Sequence, residues 1–158
     1  HVLAADGRWR IVAFADPDDP AQKESTIWEL ADYLQRADAS PIRQYTPGGM
    51  DIDSVIELLV VLQQGCRDVN MQALHPFLAP AKGVYGLRDY NKVFCPDLDK
   101  GDDIFEMRGI DREAGCMLVV RPDQHVANVL PLTDFESLTA FFDAFMLPQA
   151  ASNNAEAP

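Results

Sequence analysis

Cysteine is scarce in this chain. The three residues, Cys66, Cys95 and Cys116, are odd in number and widely spaced. They form neither a disulfide framework nor a CxxC pair for redox or zinc chemistry. The expectation is reduced thiols in a cytoplasmic protein, each acting as a small hydrophobe in or beside an apolar run. None of the nine glycines is spaced G-x-G, so the chain lacks the dinucleotide fingerprint; it also lacks G-x-x-x-x-G-K-[ST] for nucleotide phosphates. No apolar run nears the roughly 18 residues of a membrane helix, and no signal pattern opens the chain. Positive charge is in deficit: 13 Lys and Arg face 25 Asp and Glu, for a net charge of -12. Such a field repels polyanions, which argues against nucleic acid and anionic membranes as partners. His1, His75 and His125 stand apart from one another and from the cysteines, so no metal set is assigned. His75, before Pro76, reads as a loop residue, and His125 as a structural residue at a strand start.

What is present is an ordinary globular composition, 47% hydrophobic and 24% charged. At 158 residues the chain is long enough to bury a core without staples. One domain is expected over residues 1–147, with the small, polar residues 148–158 as a disordered tail. The chain starts at His1, not methionine, and is read as a cloned segment, a processed product or an excised fragment.

Hydrophobic spacing sets out the elements. Arg8 to Ala15 reads as a strand that becomes buried, and Asp16 to Pro20 as a loop. From Glu24 the period changes to helical, with Ile27, Leu30, Ala31 and Leu34 on one face and Trp28 at its flank. Ser25 or a preceding aspartate caps it, and it ends by about Ala37, before Pro41. Tyr45 to Asp53 is a loop. Val55 to Gln63 is a buried strand, and Met71 to Pro80 an irregular connection with at most one helical turn. Tyr90 to Cys95 is a strand. Gly101 to Gly109 is a short helix, with Asp102 and Asp103 in its first turn and Gly109 as its left-handed cap. Cys116 to Arg121 and His125 to Leu130 form an antiparallel hairpin. Thr133 with Glu136 makes a capping box for a last helix, whose apolar face is Leu138, Phe141, Phe142 and Phe145.

The fold class that follows is α/β: a mixed sheet flanked by helices, of the thioredoxin-like kind, without a CxxC site. In such a scaffold a redox cysteine sits where the first strand meets the first long helix, its thiolate held by the helix N-terminus. Here that place is Ala15-Asp16-Pro17-Asp18-Asp19, whose carboxylates oppose a thiolate.

Arg121-Pro122-Asp123-Gln124 is the sharpest local motif. It reads first as a hairpin turn, and second as a salt link, Arg121 to Asp123, at a domain interface. Asp97, Asp99, Asp102 and Asp103 lack calcium-loop spacing and read as a solvated loop before a helix. Trp9 and Tyr33 are candidates for a partner surface.

Four stretches in one order resemble a known family: Gly86-Leu87-Arg88-Asp89-Tyr90-Asn91-Lys92-Val93-Phe94, Phe105 to Asp111 ending Gly-Ile-Asp, Val119 to Val126 around Arg-Pro-Asp-Gln, and Phe141-Phe142-Asp143-Ala144-Phe145. With Asp6-Gly7-Arg8-Trp9-Arg10 they resemble the C-terminal domain of phenol 2-monooxygenase-type flavoprotein hydroxylases, the related 3-hydroxybenzoate hydroxylases being the alternative. The resemblance implies a parent with separate FAD and substrate domains that hydroxylates phenols with NADPH and O2. It implies a thioredoxin-like, non-catalytic domain that supports assembly as a homodimer. No catalytic, cofactor-binding or metal residue carries over; Arg121, Pro122, Asp123 and Asp111 are the structural or interface candidates. The competing reading is a stand-alone thioredoxin-like protein with a binding or thiol-redox role.

Overall fold

The structure is a computed structural model that describes residues 5–96 and 103–149. Its first strand, β1 (Trp9–Phe14), is followed by helix α1 (Thr26–Arg36), helix α2 (Pro41–Tyr45) and strand β2 (Ile56–Val61). Next come a 3-10 turn (Pro76–Leu78) and the short strands β3 (Ala81–Lys82), β4 (Leu87–Arg88) and β5 (Val93–Phe94). Helix α3 (Ile104–Arg108), strands β6 (Cys116–Val120) and β7 (Val126–Leu130), and helix α4 (Phe135–Asp143) complete it.

Five strands form one sheet in the order β5-β2-β1-β6-β7, while β3 and β4 pair apart from it. β1 runs parallel to β2, and β2 parallel to β5; β6 and β7 are antiparallel. Parallel neighbours need a crossover, which α1 and α2 provide between β1 and β2. A parallel β-α-β unit followed by an antiparallel hairpin and a final helix is the thioredoxin-like arrangement, as the sequence predicts.

Alternation divides the sheet into two faces. Ile11 and Ala13 of β1, Ile56, Leu58 and Val60 of β2, and Met117 and Val119 of β6 enter the main core. There they meet Ile27, Leu30, Ala31 and Leu34 of α1, Ile42 and Tyr45 of α2, and Leu138 and Phe142 of α4. Each such fully buried aliphatic side chain contributes about 1.5–3 kcal/mol of transfer free energy. Trp9 closes one end of this layer edge-on to Phe141 and Phe142, and Tyr33 stacks on Phe135 at 4.5 Å. Both rings are half-buried against these neighbours.

Capping explains most boundaries. The Ser25 hydroxyl accepts from the Trp28 N–H at 3.3 Å and starts α1. Gly109 ends α3 with φ 63 and ψ 34, its N–H donating to the Phe105 and Glu106 carbonyls. Asp103 caps α3, while Asp97, Asp99 and Asp102 lie outside the described residues. Two expectations are corrected. Pro41 does not only stop a helix: it opens α2 at the first helical position, where its missing N–H costs nothing. The last helix is capped by Asp134, not Thr133; its carboxylate accepts from the Ser137 N–H at 3.1 Å. Of the expected tail, the Gln149 N–H donates to the Gln44 carbonyl at 2.9 Å; residues 150–158 lie outside the described ones.

Candidate assembly surface

The second face of the sheet carries Arg10, Val12 and Phe14 of β1, opposite Val120, Leu118 and Cys116 of β6 in register. It is charged at one end and apolar at the other.

At the charged end four cations meet four carboxylates. Arg10 lies across from Glu57 in the β1–β2 register and donates to it, Nε to Oε2, at 3.0 Å. Arg8 reaches Glu57 at 2.9 Å, and both arginines share Asp6 at 2.7 and 2.8 Å. Lys92 pairs with Asp53 and Glu57; Lys82 pairs with Asp53 at 2.6 Å and with Asp89 at 2.7 Å. Arg10 and Lys92 are each 2% exposed, so these charges exist only because partners surround them. Asp53, Glu57 and Asp89 bring oxygens within 4.8 Å of one another, and the positive charge they need comes from Lys82 and Lys92.

Burial alone raises the Asp89 carboxyl, but Lys82, the Asn91 N–H and Lys92 outweigh it and hold the group near 2. Asp53 is likewise held below the carboxylate range by Lys82 and Lys92 against burial. For a depressed carboxylate, the contribution to stability is present above the unfolded value near 4 and is lost as pH falls through the folded one. Thermal unfolding is therefore expected to hold steady from neutral pH to about pH 4 and to drop between about 4 and 2. Asp89→Asn removes part of that drop; an unchanged acid limb in the variant contradicts the assignment.

At the apolar end an open groove of about 790 Å³ runs along β1, β6 and β7. Val12, Phe14, Leu118 and Val120 floor it, Val126 and Val129 form its outer wall, and Ile104, Arg108, Ile110 and Asp111 face them. Phe105 of α3 stands edge-on to Phe14 at 5.5 Å, so α3 covers part of this face. Val126 and Val129 stay more than half exposed.

Of the predicted site residues, Asp111 lines this groove, while Arg121, Pro122 and Asp123 lie in the turn beside it. The Asp111 carboxylate accepts from the Glu113 and Ala114 N–H groups and orders the loop into β6. Arg121, Pro122 and Asp123 form the adjoining β6–β7 turn, closed by the Gln124 N–H on the Arg121 carbonyl at 2.8 Å. Arg121 pairs with Asp123 at 2.7 Å within that turn, and both are half exposed. Gln124, at φ 70, also lines the groove. His125 is exposed beside the turn, and His75 lies in the loop just before the 3-10 turn, buried, with its Nδ1 accepting from the Phe77 N–H.

The cysteines depart from expectation. Cys66 is exposed, and Cys95 and Cys116 are half-buried. The loop from β2 brings Cys66 beside Cys95, whose thiol is pushed up to about 11 by burial and by that neighbour. Burial raises Cys116 as well. Thiolate is thus disfavoured at both. Iodoacetamide at neutral pH is expected to modify Cys66 first and the other two only slowly, read by peptide mass spectrometry; fast labelling of Cys95 or Cys116 contradicts this. At the end of β1, Asp16 is buried and accepts from the Thr26 hydroxyl and the Asp18 N–H.

Sequence comparison decides the family. Residues 1–150 match the phenol hydroxylase C-terminal dimerisation domain. The chain belongs to that family. It is 50% identical over 147 residues to a 3-hydroxybenzoate 4-monooxygenase of Comamonas testosteroni, a match covering 92% of this chain and 23% of that protein. It is 32% identical over 156 residues to the FAD-dependent monooxygenase terD of Aspergillus terreus, covering 97% and 25%. A phenol 2-monooxygenase of Aspergillus fumigatus, fsqG, shares 25% over 146 residues, covering 90% and 23%. This dimerisation domain therefore spans about a quarter of the length of the curated relatives it matches. A thioredoxin-like protein from Parabacteroides distasonis aligns at a TM-score of 0.46 and 8% identity, over 88% of this chain and 85% of that one. No helix among the described residues is long and apolar enough to cross a membrane.

Proposed function

We infer that this chain, a single domain over residues 1–147 with a short tail, is the non-catalytic C-terminal domain of a cytoplasmic flavoprotein monooxygenase. The parent hydroxylates phenolic substrates with FAD, NADPH and O2, and this domain holds two copies of it together. The observation that carries the reading is the apolar groove on the second sheet face. An apolar face of this kind marks a protein contact, not solvent. The residues here do not fit FAD: the β1–α1 turn is Asp16-Pro17-Asp18-Asp19, without glycine and with carboxylates where a pyrophosphate would dock. The flavin therefore belongs to the parent's other domains. The name of the 50% identical relative makes 3-hydroxybenzoate the first substrate to try.

The test is the intact mass of the native polypeptide in its source cell, taken with an antibody against this chain. A species about four times this length, carrying flavin and oxidising NADPH when 3-hydroxybenzoate or phenol is added, is expected from the 23% coverage. A species of this chain's own mass overturns the oxygenase reading and leaves a stand-alone binding protein.

A further inference from the structure

Among the described residues the tip of the β3–β4 hairpin is an apolar arm that nothing covers. Val84 is 97% exposed, Tyr85 88% and Leu87 71%. Gly83 and Gly86, at φ 63 and 60, fold the tip back on itself, with the Gly86 N–H on the Gly83 carbonyl. Strands of two residues are marginal by themselves. This hairpin is nevertheless tied firmly at its root. Lys82 is paired to Asp53 and Asp89, Arg88 donates to the Ala79 carbonyl at 2.9 Å, and the Gly83 N–H donates to the Asp51 carboxylate at 3.0 Å. The charged network thus has a mechanical consequence: it fixes the direction of a protrusion that carries apolar side chains into water.

The same face of the sheet offers the converse shape, the groove between Val12, Leu118, Val126 and Val129. The arm tip does not line it. We propose that the arm of one copy seats in the groove of a second copy, and that a two-fold axis makes the exchange reciprocal. The proposal rests on the assembly reading above and specifies its contact. Three observations select a second copy as the occupant. The family is a dimerisation domain. A convex and a concave apolar surface on one chain are satisfied together by a single two-fold operation. Residues 83–87, Gly-Val-Tyr-Gly-Leu, carry no charge, and the groove floor carries none either. An uncharged arm tip can seat there without bringing a second carboxylate against Asp111, which lines the groove.

Sedimentation equilibrium of the whole chain is the test, beside Val84→Ser/Tyr85→Ser/Leu87→Ser. The expected result is a wild-type dimer and a variant whose dimer dissociation constant is about 100-fold weaker, with unchanged circular dichroism. A variant that still pairs as tightly overturns the arm while leaving the assembly reading intact. A wild-type chain that stays monomeric overturns both. If the triple variant fails to fold, Tyr85→Cys/Val129→Cys decides. Mild copper–phenanthroline oxidation is expected to link positions 85 and 129 between chains, mapped by mass spectrometry, and absence of that link contradicts the arm exchange.

Discussion

Glu57→Ala is expected to lower the unfolding free energy by about 3–5 kcal/mol, the range for breaking a buried ion pair from one side. Glu57 answers Arg10, Arg8 and Lys92 together. Removing it leaves Arg10 and Lys92 buried and under-compensated, and desolvated charges without partners dominate the cost. On a total stability of about 5–15 kcal/mol the loss is large. Denaturant unfolding of wild type and variant measures it. A second comparison separates charge compensation from the net worth of the network. Replacing Arg10, Glu57 and Lys92 together by apolar residues of similar volume should cost much less than Glu57→Ala, since the buried Asp53 then keeps Lys82 as its partner and no other buried charge of the three is left over. A triple variant weaker than the single one would show that the pairs themselves supply the stability. An exposed pair gives the scale: removing Arg36, which is 71% exposed and meets Asp32 one turn back along α1, should cost under about 1 kcal/mol.

The second large effect is at Gly115, which enters β6 at φ 58. A methyl group there would lie 2.3 Å from the Phe14 carbonyl oxygen and 2.6 Å from Leu132 Cδ1. Leu132 can turn aside. The Phe14 carbonyl belongs to the backbone of β1, where Phe14 stands opposite Cys116, and moving it disturbs the β1–β6 ladder. Gly115→Ala combines about 1–2 kcal/mol for a left-handed non-glycine with about 1–3 kcal/mol of overpacking. A loss of about 2–5 kcal/mol is expected in denaturant unfolding. Gly109→Ala is the internal control. It has nearly the same φ, 63, but open space around the added atom. Its cost should stay near the conformational part alone, about 1–2 kcal/mol. Equal losses at the two sites would mean that close backbone approach is not what requires glycine at 115.

The fold was legible wherever one face of an element is buried, because burial imposes a period on the sequence. Ile27, Leu30, Ala31 and Leu34 recur at helical spacing, and all four are buried on one side of α1. The β6–β7 hairpin follows from two apolar runs around Pro122-Asp123. α2 was not legible because Pro41 carries two meanings. It forbids a helical residue before it and welcomes a helix after it; five residues are too few for a period to distinguish these. The choice between Thr133 and Asp134 as cap is a one-residue ambiguity between two good capping types.

The assembly surface was legible only in part. Arg121, Pro122 and Asp123 mark a turn in any reading, and Asp111 marks a loop. That Asp111 lines the groove, with the Arg121–Asp123 turn beside it, follows from how the loop after α3 meets the β6–β7 hairpin. The charge network escaped sequence reasoning because its members are distant along the chain: Arg10 and Glu57 are 47 residues apart, and Lys92 is 35 beyond Glu57. The β1–β2 register brings Arg10 to Glu57, and the β2–β5 pairing brings Lys92. The arm left a fainter signal, Gly83-Val84-Tyr85-Gly86, two glycines enclosing two residues with strong strand preference. Cys66 and Cys95 likewise meet only through the packing of β2 beside β5.

Sedimentation equilibrium of the chain with added FAD, read at both the protein and the flavin absorbance, tests the central claim most directly. An assembly domain without a flavin site predicts protein at twice the chain mass, with flavin distributed as free small molecule. A chain that stays monomeric at every concentration, or flavin that sediments with it, contradicts the account.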